Sequence, residues 1–246
     1  MAAERGATGR SGAEPSLRSI READPGQPFV VAQLGQSLDG RIATSTGESR
    51  WINRDAALDH LHRLRDAVDA VVVGVGTVIA DDPMLNVRRV APCNPGGPPP
   101  ARVVIDPHGR LPAGARMLAG DGARRIVVRR AGTDPRLPVP QGVEIVHVDP
   151  DHALMHPRAI VAALYALGLR RLLIEGGAWT VSSFIDAGAV DRLHVLVAPI
   201  ILGSGKTGLS LAPIARLDQA CRPVTQVHVL DDGDVLFDCD LRATSS

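Results

Sequence analysis

The chain has 246 residues, 45% of them hydrophobic and 22% charged, with a formal net charge of zero. That length suits one α/β domain or two small ones, and the charge balance excludes nucleic acid or a membrane surface as the main partner. Aromatics are only 2% and Lys206 is the single lysine, so aliphatic side chains must fill the core and arginine carries the positive charge, with forked donors suited to phosphates and carboxylates.

Residues 1–26 are rich in Gly, Ala, Ser and mixed charge. They contain no apolar signal-peptide region and too little apolar surface to join a core, so the expectation is a flexible arm followed by a single domain over 27–246. A first strand, "FVVAQL" from Phe29, is expected to break at Gly35 and to turn through Asp39-Gly40 into a long polar loop reaching Trp51. Asn53 reads as the N-cap of a helix that places Ala57, Leu61, Leu64 and Val68 on one face. "AVVVGV" from Ala70 is a strand over 70–75, and Asp81 and Asp82 follow soon after it. "APCNPGGPPPA" is a Pro/Gly loop, expected to be mobile and no domain boundary. Short apolar runs then recur at "ARVVID", "RRIVVR", "VEIVHV" and "RRLLIEG", as for strands covered on both faces. Helices are expected between Pro157 and Gly168 and from "GAWTVSSFIDAG" to Gly188. The last third changes character: "DRLHVLVAPII" is a strand, and two more flank the turn at Asp232-Gly233. The expected fold class is α/β, with a mixed, mostly parallel sheet flanked by helices and a C-terminal antiparallel hairpin.

The strongest local chemistry lies where "RRLLIEGGAWTVSSFI" runs from strand to helix. Gly176 and Gly177 let the backbone approach a ligand, and the helix start offers free N–H groups to a phosphate; the plainer reading is a tight turn that merely needs glycine. "GSGKTG" (203–208) lacks the first glycine and the helix of a phosphate-binding loop. His60 and His62, and His152 and His156, lack a third ligand at metal spacing, so they are read as solvated and no metal site is expected. Cys93, Cys221 and Cys239 suggest neither zinc nor disulfides, hence a reducing cytoplasm. Asp81 is expected near reacting atoms and Asp82 as a turn or cap residue, against the plainer reading that both complete a turn.

In chain order, "SLDGRIAT", "GESRWI", "GTVIADDPMLNVR", "RVVID", "LLIEGGAWTVSSFI" and "VAPIILGSG" resemble the reductase half of the bifunctional riboflavin-biosynthesis deaminase/reductase and its stand-alone relatives, over about residues 28 to 242. The resemblance implies a dihydrofolate-reductase-like fold, NADPH as cofactor, a homodimer and reduction of the ribosyl side chain of 5-amino-6-(5-phosphoribosylamino)uracil. It implies a cofactor site from Gly35, Trp51, Thr77, Asp81, Gly176, Gly177, Ala178, Trp179, Thr180 and Val181. It further implies substrate contacts from Ser49, Arg65, Leu85, Arg88 and Glu175, with Asp81 as the catalytic residue. Two departures stand out: no deaminase motif accompanies these residues, which implies a separate deaminase, and Gln33 replaces a lysine common near the substrate phosphate. A same-fold reductase of a dihydropterin-like substrate, or a non-catalytic nucleotide-binding module, remains the alternative.

Overall fold

Runs of β-branched residues bounded by Gly, Pro and Asp produce the strands. The computed structural model describes residues 14–133, 139–149 and 155–244. One nine-stranded sheet has the order β10-β11-β8-β1-β7-β3-β4-β5-β6. Its centre is β1 (Phe29–Ser37), β7 (Arg171–Glu175), β3 (Ala70–Gly74) and β4 (Ala101–Ile105), all parallel. Beyond them lie β5 (Arg125–Arg130) and the edge strand β6 (Glu144–Val148). On the other side come β8 (Arg192–Ala198), then β11 (Val235–Thr244) and β10 (Pro223–Val229), which form the expected hairpin. Only β11 runs antiparallel to its neighbours, so the mixed, mostly parallel sheet is as expected.

Helices cover both faces. On one, α4 (Pro157–Ala166) and α5 (Ala178–Asp186) bury Ile160, Leu164, Val181 and Phe184 against Val30, Val72 and Ile174. On the other, α2 (Asp55–Ala67) and α3 (Val75–Asp81) bury Leu64 and Val78 against Val31, Val71 and Leu173.

Several expectations are corrected. Residues 14–26 are not a free arm: α1 (Glu14–Arg21) buries Leu17 and Ile20 completely in the α2 face. Two apolar residues three apart suffice to dock one short helix, each contributing about 1.5–3 kcal/mol. Residues 1–13 lie outside the described residues. Strand β1 does not break at Gly35. It runs on to Ser37, paired with β8 from Val31 onward, and Gly35 leaves room for the Asn53 side chain, whose Oδ1 lies 2.1 Å from where a Cβ would stand. Asn53 is therefore not the cap of α2; Arg54 is, while Asn53 Nδ2 donates to Asp234 Oδ2 at 3.0 Å. The strand expected over 70–75 ends at Gly74, and α3 starts at once, held by buried Val75 and Val78. Nor are His60 and His62 solvated; they are 0% and 2% exposed. His152 lies outside the described residues, and His156 is half-buried as the N-cap of α4. Finally, "GSGKTG" contributes β9 (Gly205–Thr207), which pairs antiparallel with β2 (Arg41–Thr44) in a separate two-stranded sheet.

Candidate active site

The C-terminal edge of a parallel sheet is where α/β folds gather ligands. Here β3 and β7 are neighbours, and each passes directly into a helix, α3 and α5. The two turns pack against each other through close side-chain contacts. Gly176 and Gly177 both have left-handed backbone, φ 71° and 67°, which disfavours any residue with a Cβ. A Cβ at Gly177 would lie 2.8 Å from Thr77 Oγ1, and one at Gly74 would lie 2.5 Å from Thr180 Oγ1. Two threonine hydroxyls thus occupy space that only glycine leaves free. The first amides of α5 have no intrahelical acceptors, so the turn presents donors to an anion.

Beside this turn, Arg65 of α2 meets Glu175, the last residue of β7. Arg65 Nε donates to Oε2 at 2.8 Å, Nη2 donates to Oε1, and Nη1 donates to the Asn86 carbonyl at 2.9 Å. Both side chains are buried. Arg88 is exposed; its Nη1 donates to Asn86 Oδ1 at 2.9 Å, and its backbone N–H donates to His62 Nδ1 at 3.1 Å. Burial, then the neighbouring Arg65 and Arg116, lower the Arg88 pKa, a sign of positive potential. Burial, then Arg65 and Arg88, depress His62 to about 4, so it stays a neutral acceptor.

The loop between β1 and α2 is fixed at its base. Asp39 accepts from Ser37 Oγ at 2.6 Å and from the amides of Leu202 and Gly203 at 3.1 and 2.7 Å. These bonds, the Ser37 hydroxyl first, hold its carboxyl at about 2. Beyond it, Ser49 is half-buried and Trp51 is 79% exposed with φ 72°. Asp82 (φ 40°) and Leu85 (φ 55°) are the other non-glycine residues with left-handed backbone among the described residues. Such geometry costs roughly 1–3 kcal/mol per residue and gathers at functional sites; all three fall within the segments singled out from the sequence.

The structure brings together Arg65, Glu175 and Arg88, and separately Thr77, Gly176, Gly177 and Thr180. Asp81 is exposed at the end of α3, while Asp82 is its C-cap and accepts from the Arg116 amide at 2.8 Å. Leu85 and Val181 are buried in the core, leaving only their backbone to a ligand, whereas Trp179 is exposed and Ala178 half-buried. Gly35 serves Asn53, as described. Sequence reasoning missed His62 and Asn86. The spacing His62-x-x-Arg65 places both on one side of α2 and was the available signal for His62; the role of Asn86 is partly a backbone carbonyl, for which no residue type gives a signal.

The sheet order and the glycine turn opening α5 define an α/β fold whose candidate site lies at the C-terminal edge of its parallel strands. The chain belongs to the RibD C-terminal domain family, whose model matches residues 28–232. It is 36% identical over 180 residues to the 2,5-diamino-6-ribosylamino-4(3H)-pyrimidinone 5′-phosphate reductase of Methanothermobacter thermautotrophicus, covering 72% of this chain and 80% of that protein. It is 34% identical over 180 residues to the riboflavin biosynthesis protein RibD of Aquifex aeolicus, covering 73% of this chain and 48% of that protein. The crystal structure of a Thermotoga maritima diaminohydroxyphosphoribosylaminopyrimidine deaminase/5-amino-6-(5-phosphoribosylamino)uracil reductase superposes with a TM-score of 0.72 at 27% identity, over 87% of this chain and 57% of that one. The chain thus spans about half the length of these bacterial relatives and most of the archaeal one.

Proposed function

We propose that the protein is an NADPH-dependent reductase of a phosphoribosylaminopyrimidine in riboflavin biosynthesis, with 5-amino-6-(5-phosphoribosylamino)uracil as substrate. One observation carries the reading: a glycine turn with free helix amides lies at the end of the same strand, β7, that delivers the buried Glu175 to Arg65 beside the exposed Arg88. The named activity of the archaeal relative supports it over the dihydropterin alternative, because that protein's substrate is also a ribosylaminopyrimidine phosphate.

The turn suits a dinucleotide: Gly74 and Gly177 carry no Cβ where the Thr180 and Thr77 hydroxyls stand, so hydroxyls and free α5 amides gather at one point. In this reading Thr77 and residues 176–181 would hold the pyrophosphate, and Gly35, Trp51 and Asp81 would line the rest of the cofactor site. Arg130, half-buried at the end of β5, puts a cation on the same sheet edge, which suits a 2′-phosphate. When bound, NADPH supplies the hydride that, with one proton, converts the C1′=N bond of the ring-opened sugar into the ribitylamine. Arg88 binds the substrate phosphate as a forked donor. Arg65, already held by Glu175, shapes the wall with Ser49 and Leu85 and orients the pyrimidine. Asp81 moves the proton at the sugar.

Two further readings go with this function. β10 is exposed along most of its length, with Val224, Val227 and Val229 51–72% exposed, and a second copy of the chain would cover it as a homodimer. Cys93, Cys221 and Cys239 form no disulfide, and no helix among the described residues is long and apolar enough to cross a membrane; our reading places the enzyme in the cytoplasm. The reaction assignment is tested with NADPH deuterated at the transferable position. Mass spectrometry should find the label at C1′ of the product; label lost to solvent, or found on the pyrimidine ring, would refute it.

A further inference from the structure

Outside the site, a fully buried polar cluster among the described residues joins α2 to the sheet. His60, His194 and Asp238 are each 0% exposed. His60 Nε2 lies 3.0 Å from His194 Nδ1, with the rings stacked at 5.2 Å between centroids. His194 Nε2 lies 3.1 Å from Asp238 Oδ1, and Asp238 also accepts from Arg192 Nε and Nη2, at 2.5 and 3.0 Å. Strand register sets this cluster in line with the candidate site. Asp238 pairs with His194, His194 with Gln33, and Gln33 with Glu175. One row of polar side chains therefore crosses β11, β8, β1 and β7 on the face that α2 covers.

We propose that His60, His194 and Asp238 form a positioning chain that holds α2 on β8, so that Arg65 reaches Glu175 on β7 and fixes the substrate wall. The proposal rests on the reductase reading. Its geometry follows from helix periodicity. His60 and Arg65 are five residues apart, about 140° around the helix axis. They leave α2 on opposite flanks, one toward β8 and the other toward β7, with Gln33 of β1 between. The hydrogen-bond polarity is determined from one end. Asp238 only accepts, so the His194 nitrogen facing it, Nε2, carries a proton although the contact is not aligned as a hydrogen bond; with His194 neutral, its Nδ1 accepts from His60 Nε2–H. His60 Nδ1 then carries no proton; it and His194 Nε2 have no aligned hydrogen-bond partner among the described residues. Burial, before any other cause, holds His60 neutral, with a pKa of about 3. Burial opposes ionisation of Asp238, but His194 and Arg192 keep its pKa below the usual value. A buried polar chain of this kind fixes one packing arrangement rather than adding much stability.

The test compares His60→Phe with His60→Gln in the full chain. Phe retains a stacking ring without a donor, while the Gln amide can donate from near the Nε2 position. His60→Phe should shift the Arg65 Nε–H resonance in nitrogen–proton correlation spectra. It should raise the substrate KM by about three- to tenfold, with kcat and NADPH affinity within about twofold. His60→Gln should return both readouts toward wild type. Nitrogen shifts should also show His60 and His194 as neutral Nε2–H tautomers. An unmoved Arg65 resonance in folded His60→Phe, or a His60→Gln protein as impaired as His60→Phe, would overturn the chain. If His60→Phe does not fold, His60→Gln and the tautomer assignment decide alone: a shifted Arg65 resonance in His60→Gln, or an Nδ1–H tautomer at either histidine, would overturn it. The Arg65 resonance needs no turnover, so a wrong substrate would leave this result readable.

Discussion

Arg65 and Glu175 form a forked, buried ion pair 110 residues apart in sequence, with Nε to Oε2 at 2.8 Å. The pair gives the two site arginines different work. Arg65 has its charge matched and its donors used, whereas Arg88, exposed and bonded through its side chain to Asn86 Oδ1, keeps donors for a ligand. Arg88→Ala should therefore raise KM for a phosphorylated substrate by about 1.5–3 kcal/mol, with little change in melting temperature. Arg65→Ala should lower stability by about 3–5 kcal/mol, because Glu175 is left buried without its partner. Kinetics with phosphorylated and dephosphorylated substrates, alongside thermal melts, separate the two; equal KM effects of Arg88→Ala on both substrates would remove its phosphate role.

The contacts across the glycine turns predict a compensation. Gly74→Ala has no backbone penalty, since φ is −77°, but its Cβ meets Thr180 Oγ1. It should cost about 1–3 kcal/mol, and Gly74→Ala/Thr180→Ala should recover most of that. Gly177→Ala is different. Its φ of 67° and the nearby Thr77 hydroxyl both oppose a Cβ, so NADPH affinity should fall by roughly tenfold or more even where the protein remains folded. Cofactor titration of each variant checks this, and wild-type affinity in Gly177→Ala would place the phosphates elsewhere.

Much of this arrangement was legible in the sequence. The strand runs, the Pro157 and Gly168 helix limits and the Asp232-Gly233 turn are local signals, and local physics produced them. What escaped depends on distant partners. Asn53 looks like a cap until Asp234, 181 residues away, claims its amide. His60 and His62 look solvated on a charged helix until β8 and the 82–88 segment bring His194 and the Arg88 amide to them. Leu17 and Ile20 are too few to predict a docked helix, and only the exposed apolar face between α2 and the sheet makes them sufficient.

Asp81 and Asp82 should separate cleanly. Asp82 caps α3 and binds the Arg116 amide, so Asp82→Ala should lower stability by about 0.5–2 kcal/mol and leave kcat nearly unchanged. Asp81 is exposed, and its loss should be structurally mild. If it moves the proton at the sugar, Asp81→Asn lowers kcat by about 10²–10⁴ with a modest effect on NADPH affinity. Wild-type turnover in Asp81→Asn would leave hydride alignment alone as the source of rate.

The buried histidines predict acid lability. His60 and His62 are neutral when folded, at about 3 and 4, and their ordinary value of 6.5 applies when unfolded. Between those values the unfolded chain binds more protons, so stability is full above pH 6.5 and declines as pH falls toward 4. Each histidine contributes a slope of about 1.4 kcal/mol per pH unit. Denaturant unfolding across that range checks the slope, which should shrink in His60→Gln; an unchanged slope would mean that His60 titrates normally in the fold.

The central claim is the substrate. Steady-state NADPH oxidation should be measured with 5-amino-6-(5-phosphoribosylamino)uracil, its 2,5-diamino pyrimidinone counterpart, the dephosphorylated form and a dihydropterin. The phosphorylated uracil should be turned over, with a much higher KM without the phosphate and no reduction of the pterin. Preferred turnover of the diamino compound would reassign the order of reduction and deamination. Reduction of the dihydropterin, or no turnover of either phosphoribosylaminopyrimidine by folded protein that binds NADPH, would contradict the account.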